Sequence, residues 1–282
     1  YSDTTFYFLT VKEIPGLRIS QKNSTGEGLP KVTSFKGVNF HEVDETNLIQ
    51  GGRMWFGELF SSSNTSHTIS FPAGDFRENG EIKVGISVMA QGFSDSSFDI
   101  GLNGLSLGNI PINDVPNSTY SRKGDLQYKE FATNSSLLNS TDGLDLEVKY
   151  NPASSTGFLD YIVIQTEKEL RQSGKMLSFY NTSGLNEGLF ELSNSSTDLN
   201  IWDVTNHTNP VNLQFKLSGD KASFSVDNSQ KEFISFVGSD FPPPVSSLKI
   251  KNQNLHSLSS ADALFITHAK FRSQANDLKK HR

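Results

Sequence analysis

The sequence predicts a mainly β protein: a jelly-roll-like antiparallel β-sandwich, a smaller β-sandwich, and a C-terminal strand–helix piece of α/β character. Three observations predict it. Apolar and polar residues alternate in short runs, the period of a strand that buries one face. Gly, Asn, Ser and Pro punctuate these runs at intervals of about 8–15 residues, as in sandwiches and jelly rolls. Near the C-terminus the period changes from two to that of a helix.

Within residues 1–31, "TFYFLTV" reads as a strand, "IPGLRIS" as a turn leading into another, and "KNSTGEGLPK" as a flexible loop. Residues 32–168 carry the larger sandwich. Its clearest strands are "HTISFP", "EIKVGISVMA", "SSFDIGLNG", "LQYKEFA", "LDLEVKY" and "GFLDYIVIQTE". Ile82, Val84, Ile86 and Val88 alternate with polar or small residues, as do Leu144, Leu146 and Val148. "GLNGLSLG" is rich in glycine but lacks the strand-to-helix setting of a phosphate cradle, and reads as a hairpin turn.

"TEKELRQSGKM" reads as a connector into a small immunoglobulin-like module at 169–245. Its strands are "MLSFYN", "GLFELS", "LNIWDV", "VNLQFKL", "KASFSVD" and "KEFISFV". "DFPPPV" ends it, since consecutive prolines donate nothing to a ladder. In residues 246–282, Ala263–Thr267 is a short apolar run expected as a strand. A helix presenting Phe271, Ala275 and Leu278 on one face follows. The closing "LKKHR" complements a helix dipole.

Composition removes several chemistries. The 282-residue chain has no cysteine, which excludes thiol catalysis, disulfides and thiolate metal sites. Its net charge is −6 with no basic stripe, arguing against nucleic acid. No HExxH, EF-hand or Gly-x-Ser-x-Gly pattern occurs, and "NSTDGLDLE" is a turn more simply than a calcium loop. Eight Asn-x-Ser/Thr triplets are what a chain rich in Asn and Ser holds by chance. The residues thus point to no catalytic side chain, no metal and no cofactor.

"GGRMWFGELF" is the most unusual segment. As a strand it puts Arg53, Trp55, Gly57 and Leu59 on one face and Met54, Phe56, Glu58 and Phe60 on the other. In one reading Trp55 is a sugar-stacking platform, with Arg53 or Glu58 binding hydroxyls. In the other it is a core tryptophan with the charges paired nearby, the simpler expectation. "IWDVTNHTNPV" raises the same choice: Asp203 and Thr205 close a turn before Pro210, with Trp202 expected buried.

An ordered set of strings carries a resemblance: "YSDTTFYFLT" with "PGLRIS", then "GGRMWFGELF", "GFLDYIVIQTEKEL" and "IWDVTN", then "NQNLHSL" with "DALFITHAKFRSQANDL". Together they resemble the region upstream of the peptidase domain in type IX secretion-system sortases, which are gingipain-like cysteine peptidases. The resemblance spans nearly the whole chain. It implies a parent on the outer membrane and cell surface of Gram-negative bacteria. Such a parent removes C-terminal sorting domains from secreted cargo and joins cargo to anionic lipopolysaccharide. Its caspase-like α/β peptidase domain carries a His–Cys dyad, neither member of which maps here. Residues 246–282 are then expected to be the truncated start of that domain, and the chain to have no peptidase activity. The implied partners are that domain, other outer-membrane secretion components, cargo proteins and lipopolysaccharide. A carbohydrate-binding module of a secreted protein is the alternative reading. An adhesin-like stalk is a third, and no internal repeat supports it.

Overall fold

The computed structural model describes the chain except residues 1–6, 10, 12, 25, 27, 73, 140, 141, 153, 154, 175, 228–230, 239–244, 246, 247, 250–256, 258, 261 and 282. The backbone forms two compact units, Tyr1–Asp240 and Phe241–Arg282.

The first unit opens with two short strands, β1 (Ser20–Asn23) and β2 (Lys31–Val32). Nine more follow: β3 (Ser34–Glu42), β4 (Leu59–Phe60), β5 (Ser66–Pro72), β6 (Glu81–Gln91), β7 (Ser96–Leu102), β8 (Leu105–Ile112), β9 (Asp125–Asn134), β10 (Gly143–Asn151) and β11 (Thr156–Glu169). These nine make two sheets, β3-β11-β6-β9, with β4 beside the start of β11, and β5-β10-β7-β8. All their ladders are antiparallel. This interleaved order is that of a jelly roll made from two Greek keys.

The alternating residues face inward as the sequence predicts. Ile82, Val84, Ile86 and Val88 on β6 are at most 1% exposed, and Leu144, Leu146 and Val148 on β10 are fully buried. Each such burial contributes roughly 1.5–3 kcal/mol. Phe60, Phe98 and Tyr150 fill one end of this core, with Phe60 edge-on to Phe98 at 5.3 Å. The β7–β8 hairpin closes through Asn103 (φ 49°) and Gly104 (φ 77°), the paired positive dihedrals of a two-residue turn matched to strand twist.

β11 is 14 residues long and runs through the first part of the expected connector. Past its end the chain stays pinned: Leu170 N–H donates to Thr33 O at 2.7 Å and Gln172 N–H to Ser193 O at 2.9 Å. The Leu170 side chain is 1% exposed and lies in the core of the second sandwich together with Phe35 of β3. The join between the sandwiches is therefore packed backbone rather than a free linker.

Seven strands complete the second sandwich: β12 (Met176–Tyr180), β13 (Gly188–Leu192), β14 (Leu199–Asp203), β15 (Val211–Gln214), β16 (Lys216–Ser218), β17 (Lys221–Val226) and β18 (Glu232–Val237). They form the sheets β1-β15-β14-β18-β12 and β16-β17-β13-β2. Phe179, Phe190, Phe224 and Phe233 are each at most 1% exposed and meet ring to ring, Phe179 and Phe233 at 5.3 Å. Trp202, expected buried, is only partly so; it sits on the sheet face opposite this core, edge-on to Phe236 at 5.0 Å. The N-terminal strands supply a parallel edge to each sheet, β1 beside β15 and β2 beside β13.

"TFYFLTV" forms no strand among its described residues: Tyr7, Phe8, Leu9 and Val11 are exposed and unladdered. The neighbouring strand lies slightly later than "IPGLRIS" suggests, at β1. In the second unit, Ala263–Thr267 also carries no ladder, because no partner strand lies beside it among the described residues. An apolar run alone does not make a strand without a neighbour to satisfy its backbone. A helix, α1 (Arg272–Lys280), does form, with Lys279 and Lys280 in its last turn as the dipole favours. His268 caps the turn that precedes it, its Nδ1 accepting from Lys270 N–H at 3.2 Å. Most of "DFPPPV" and "NQNLHSL", including His256, lies outside the described residues.

Candidate functional site

Gly51 and Gly52 break the period that would make "GGRMWFGELF" one strand. Gln50 (φ 53°) and Gly52 (φ 79°) turn the chain, and residues 51–55 loop outside the sheet. The chain returns at Phe56, whose N–H and C=O exchange hydrogen bonds of 2.9 Å with Thr46. Trp55 is 42% exposed, so the expectation of a core tryptophan is corrected. Arg53 is exposed and makes no ion pair among the described residues. Phe56 and Phe60, expected on one face, pack on opposite faces of the β3-β11-β6-β9 sheet. Phe56 joins Met89 and Phe158 outside it, while Phe60 enters the core between the sheets. Between them Gly57 and Glu58 lie outside any strand, so the two-residue pleat does not run from Phe56 to Phe60, and Gly57 sits where a side chain would crowd Val43.

Glu58 has a partner that its neighbours in sequence do not supply. Its Oε1 lies 2.8 Å from His41 Nε2, and the pair is mostly buried. Glu58 Oε2 is buried with no hydrogen-bond partner among the described residues. Arg53, Trp55 and Glu58 are joined by no hydrogen bond or ion pair among those residues. At the other predicted turn, Thr205 N–H and Oγ1 both donate to Asp203 Oδ1, at 3.1 and 2.6 Å. Lys231 Nζ holds the second oxygen at 2.7 Å. Burial tends to raise the Asp203 carboxyl, but these bonds outweigh it and hold the group below its ordinary value.

The outer face of the same sheet carries a constellation that no local pattern announces. Phe40 of β3 lies 5.9 Å from Tyr161 of β11 with ring planes 28° apart, and Tyr161 lies 6.2 Å from Tyr128 of β9 at 31°. Between β11 and β9 the sheet passes through β6, where a Cβ on Gly85 would collide with Tyr128 Oη. The glycine lets the ring lie across the strand. Beside the rings, the register of β11 against β6 shifts between Leu159 and Tyr161. This bulge gives Asp160 its own place on the outer face, where Oδ2 accepts from Ser87 Oγ at 2.8 Å. Burial pushes the Asp160 carboxyl above its ordinary value, the Ser87 bond opposes this, and the nearby charge of Asp44 adds to the rise.

In the second unit a cleft of about 460 Å³ runs between residues 262–267 and α1, lined by Phe265, Arg272, Ala275 and Lys279 among others. Phe271 and Leu278, expected on one helix face with Ala275, do not line it and are exposed. No group of three His, Asp or Glu side chains able to hold a metal exists among the described residues. None of the described helices is long and apolar enough to cross a membrane. With no cysteine in the chain, no thiol nucleophile is present.

No family model and no curated protein matches the sequence. Solved structures do. The chain is similar in fold to PorU. The dimeric latent PorU of Porphyromonas gingivalis superposes with a TM-score of 0.64 at 21% identity, over 78% of this chain. The chain spans 22% of PorU's length. A CBM36-1 domain of a multidomain xylanase from the hindgut metagenome of Trinervitermes trinervoides overlaps 46% of this chain and 95% of its own. Its identity is 11% and its TM-score 0.29, an overlap too slight to carry a functional argument. The likeness to PorU is thus one of fold.

Proposed function

We propose that this chain is the non-catalytic β scaffold preceding the peptidase domain in a cell-surface sortase of the type IX secretion system. The observation that carries the reading is the PorU-like fold across 78% of the chain. The ordered motifs from "YSDTTFYFLT" to "FITHAKFRSQANDL" agree with it. A cysteine peptidase needs a thiolate, a base and an oxyanion hole in one constellation. This chain brings no thiol, so its contribution is placement. The packed join through Leu170 lets two sandwiches act as one arm. In this reading that arm holds the peptidase domain near outer-membrane components, incoming cargo and lipopolysaccharide.

The test compares the 282-residue chain with the full gene product on a cargo protein bearing its C-terminal sorting domain. The gene product is expected to release that domain and to lose the activity to a thiol-blocking reagent, and the chain alone to release nothing. A gene product without any cysteine, or cleavage by this chain alone, overturns the reading.

A further inference from the structure

The aromatic row outside the first sandwich is open to solvent. Phe40 is 56% exposed, Tyr128 55%, and Val38 beside them 60%. A patch of this kind marks a binding surface more often than scattered apolar residues do. Its chemistry narrows the occupant. At one end Phe56, Met89 and Phe158 pack with Leu48, so the returning loop walls the row off. Asp160 and Asp44 lie on that side, and Glu130 beside Tyr128. The two lysines on the outer face of the neighbouring strands, Lys36 and Lys83, stand toward the far end, where Glu81 pairs with both at 3.7 and 3.6 Å.

An apolar protein surface placed here would bury Asp160 and Asp44 together without a counter-charge, an expensive arrangement. A phosphorylated glycan would meet the same carboxylates as like charges. An uncharged sugar suits every feature. Its C–H face stacks on aromatic rings, and its hydroxyls donate to the partly buried carboxylate of Asp160 and the exposed one of Asp44.

We propose that the shelf formed by Phe40, Tyr161 and Tyr128 binds an uncharged oligosaccharide, whose pyranose rings stack on the aromatics and whose hydroxyls donate to Asp160 and Asp44. The site does not depend on the scaffold role, and stands whether or not that role holds.

Affinity electrophoresis of the full chain through dextran, pullulan, hydroxyethylcellulose and plant galactomannan tests it, with purified lipopolysaccharide as the phosphorylated contrast. At least one neutral polymer is expected to retard the chain. Phe40→Ala, Tyr128→Ala and Asp160→Asn are each expected to weaken that binding about tenfold. Their circular-dichroism melting curves are expected to show no loss of stability against the parent, which separates lost binding from lost folding. Retardation by none of the four polymers overturns the proposal, as does retardation by lipopolysaccharide alone or binding that survives both aromatic substitutions. Self-association that Phe40→Ala abolishes, without sugar binding, identifies the row as a protein interface and likewise overturns it.

Discussion

Arg77 Nη1 donates to Glu167 Oε1 at 2.6 Å and to Ser34 Oγ at 2.8 Å, while Ser34 Oγ donates to the same carboxylate oxygen at 2.8 Å. The triangle ties the loop after β5 to the first residue of β3 and the last turns of β11, where the two sandwiches join. Burial favours a neutral Glu167, but the bonds from Ser34 and Arg77 outweigh it and hold the carboxyl below its ordinary value. The stabilisation it supplies is therefore present above the unfolded-state value and lost as pH falls through the folded one. Glu167→Gln is expected to lower stability by about 1 kcal/mol near neutral pH. The difference should shrink as acid protonates the parent's carboxylate. Urea unfolding across the acid range checks this; a difference that grows on acidification would contradict the assignment.

How much of this was legible beforehand depends on the range over which each feature is decided. The inward set on β6 and β10 depends on the period-two pleat alone, so Ile82 and Leu146 announce themselves. Trp55 misleads because Gly51 and Gly52 cancel the pleat three residues earlier, and a face assignment means nothing off the strand. β1 and β2 escape notice as members of the second sandwich because their partners, β15 and β13, lie far along the chain. The aromatic row needs the strand order β3-β11-β6-β9 before its three rings become neighbours. Nothing local marks Phe40, Tyr128 and Tyr161 as a set.

Gly85 tests that row from beneath. An alanine there meets Tyr128 Oη, the far end of a side chain that is itself half in solvent, so the ring swings away rather than the backbone yielding. Alanine also avoids the roughly 0.5–1 kcal/mol that glycine costs inside a strand. Gly85→Ala is therefore expected to leave stability unchanged or slightly raised while scattering the row. Burial, then the charges of Glu130 and Tyr161, now hold the Tyr128 hydroxyl above its ordinary value. Ultraviolet titration of the variant should show one tyrosine ionising at lower pH than in the parent. An unchanged titration would mean that the ring does not rest on Gly85.

Asp160 runs opposite in sign to Glu167. Its raised carboxyl means that the folded chain holds the proton more tightly than the unfolded chain does. The corresponding stability is present below the unfolded-state value and lost as pH rises through the folded one. Asp160→Asn keeps an oxygen to accept from Ser87 and removes the charge facing Asp44. The variant is expected to match the parent near pH 3 and to be more stable by up to about 1 kcal/mol at neutral pH. Paired melting curves at the two pH values decide it. A variant less stable than the parent at neutral pH would show that the carboxylate is a net asset to the fold.

The N-terminal strands offer the sharpest test of how the first unit holds together. Read from sequence, residues 1–31 are two strands and a flexible loop, with no partner strand assigned to them. In the fold, Ser20–Asn23 pairs in parallel with Val211–Gln214, and Lys31–Val32 with Leu189–Phe190. Ser24 Oγ donates to Gln214 O, and its carbonyl accepts from the hydroxyl of Ser225 at 2.8 Å, so the segment clasps both sheets of the second sandwich. Val32 is 6% exposed in that core. Removing residues 1–32 strips an edge ladder from each sheet and opens the Phe190–Phe224 pocket to water. The cost should reach several kcal/mol, from one buried valine and the lost edge hydrogen bonds together. Amide exchange should quicken at β13, β15 and β17 while β6 and β10 stay protected, because Ile86 and Leu146 lie in the other core. Uniform loss of protection would instead show that the packed join through Leu170 makes the two sandwiches one cooperative unit.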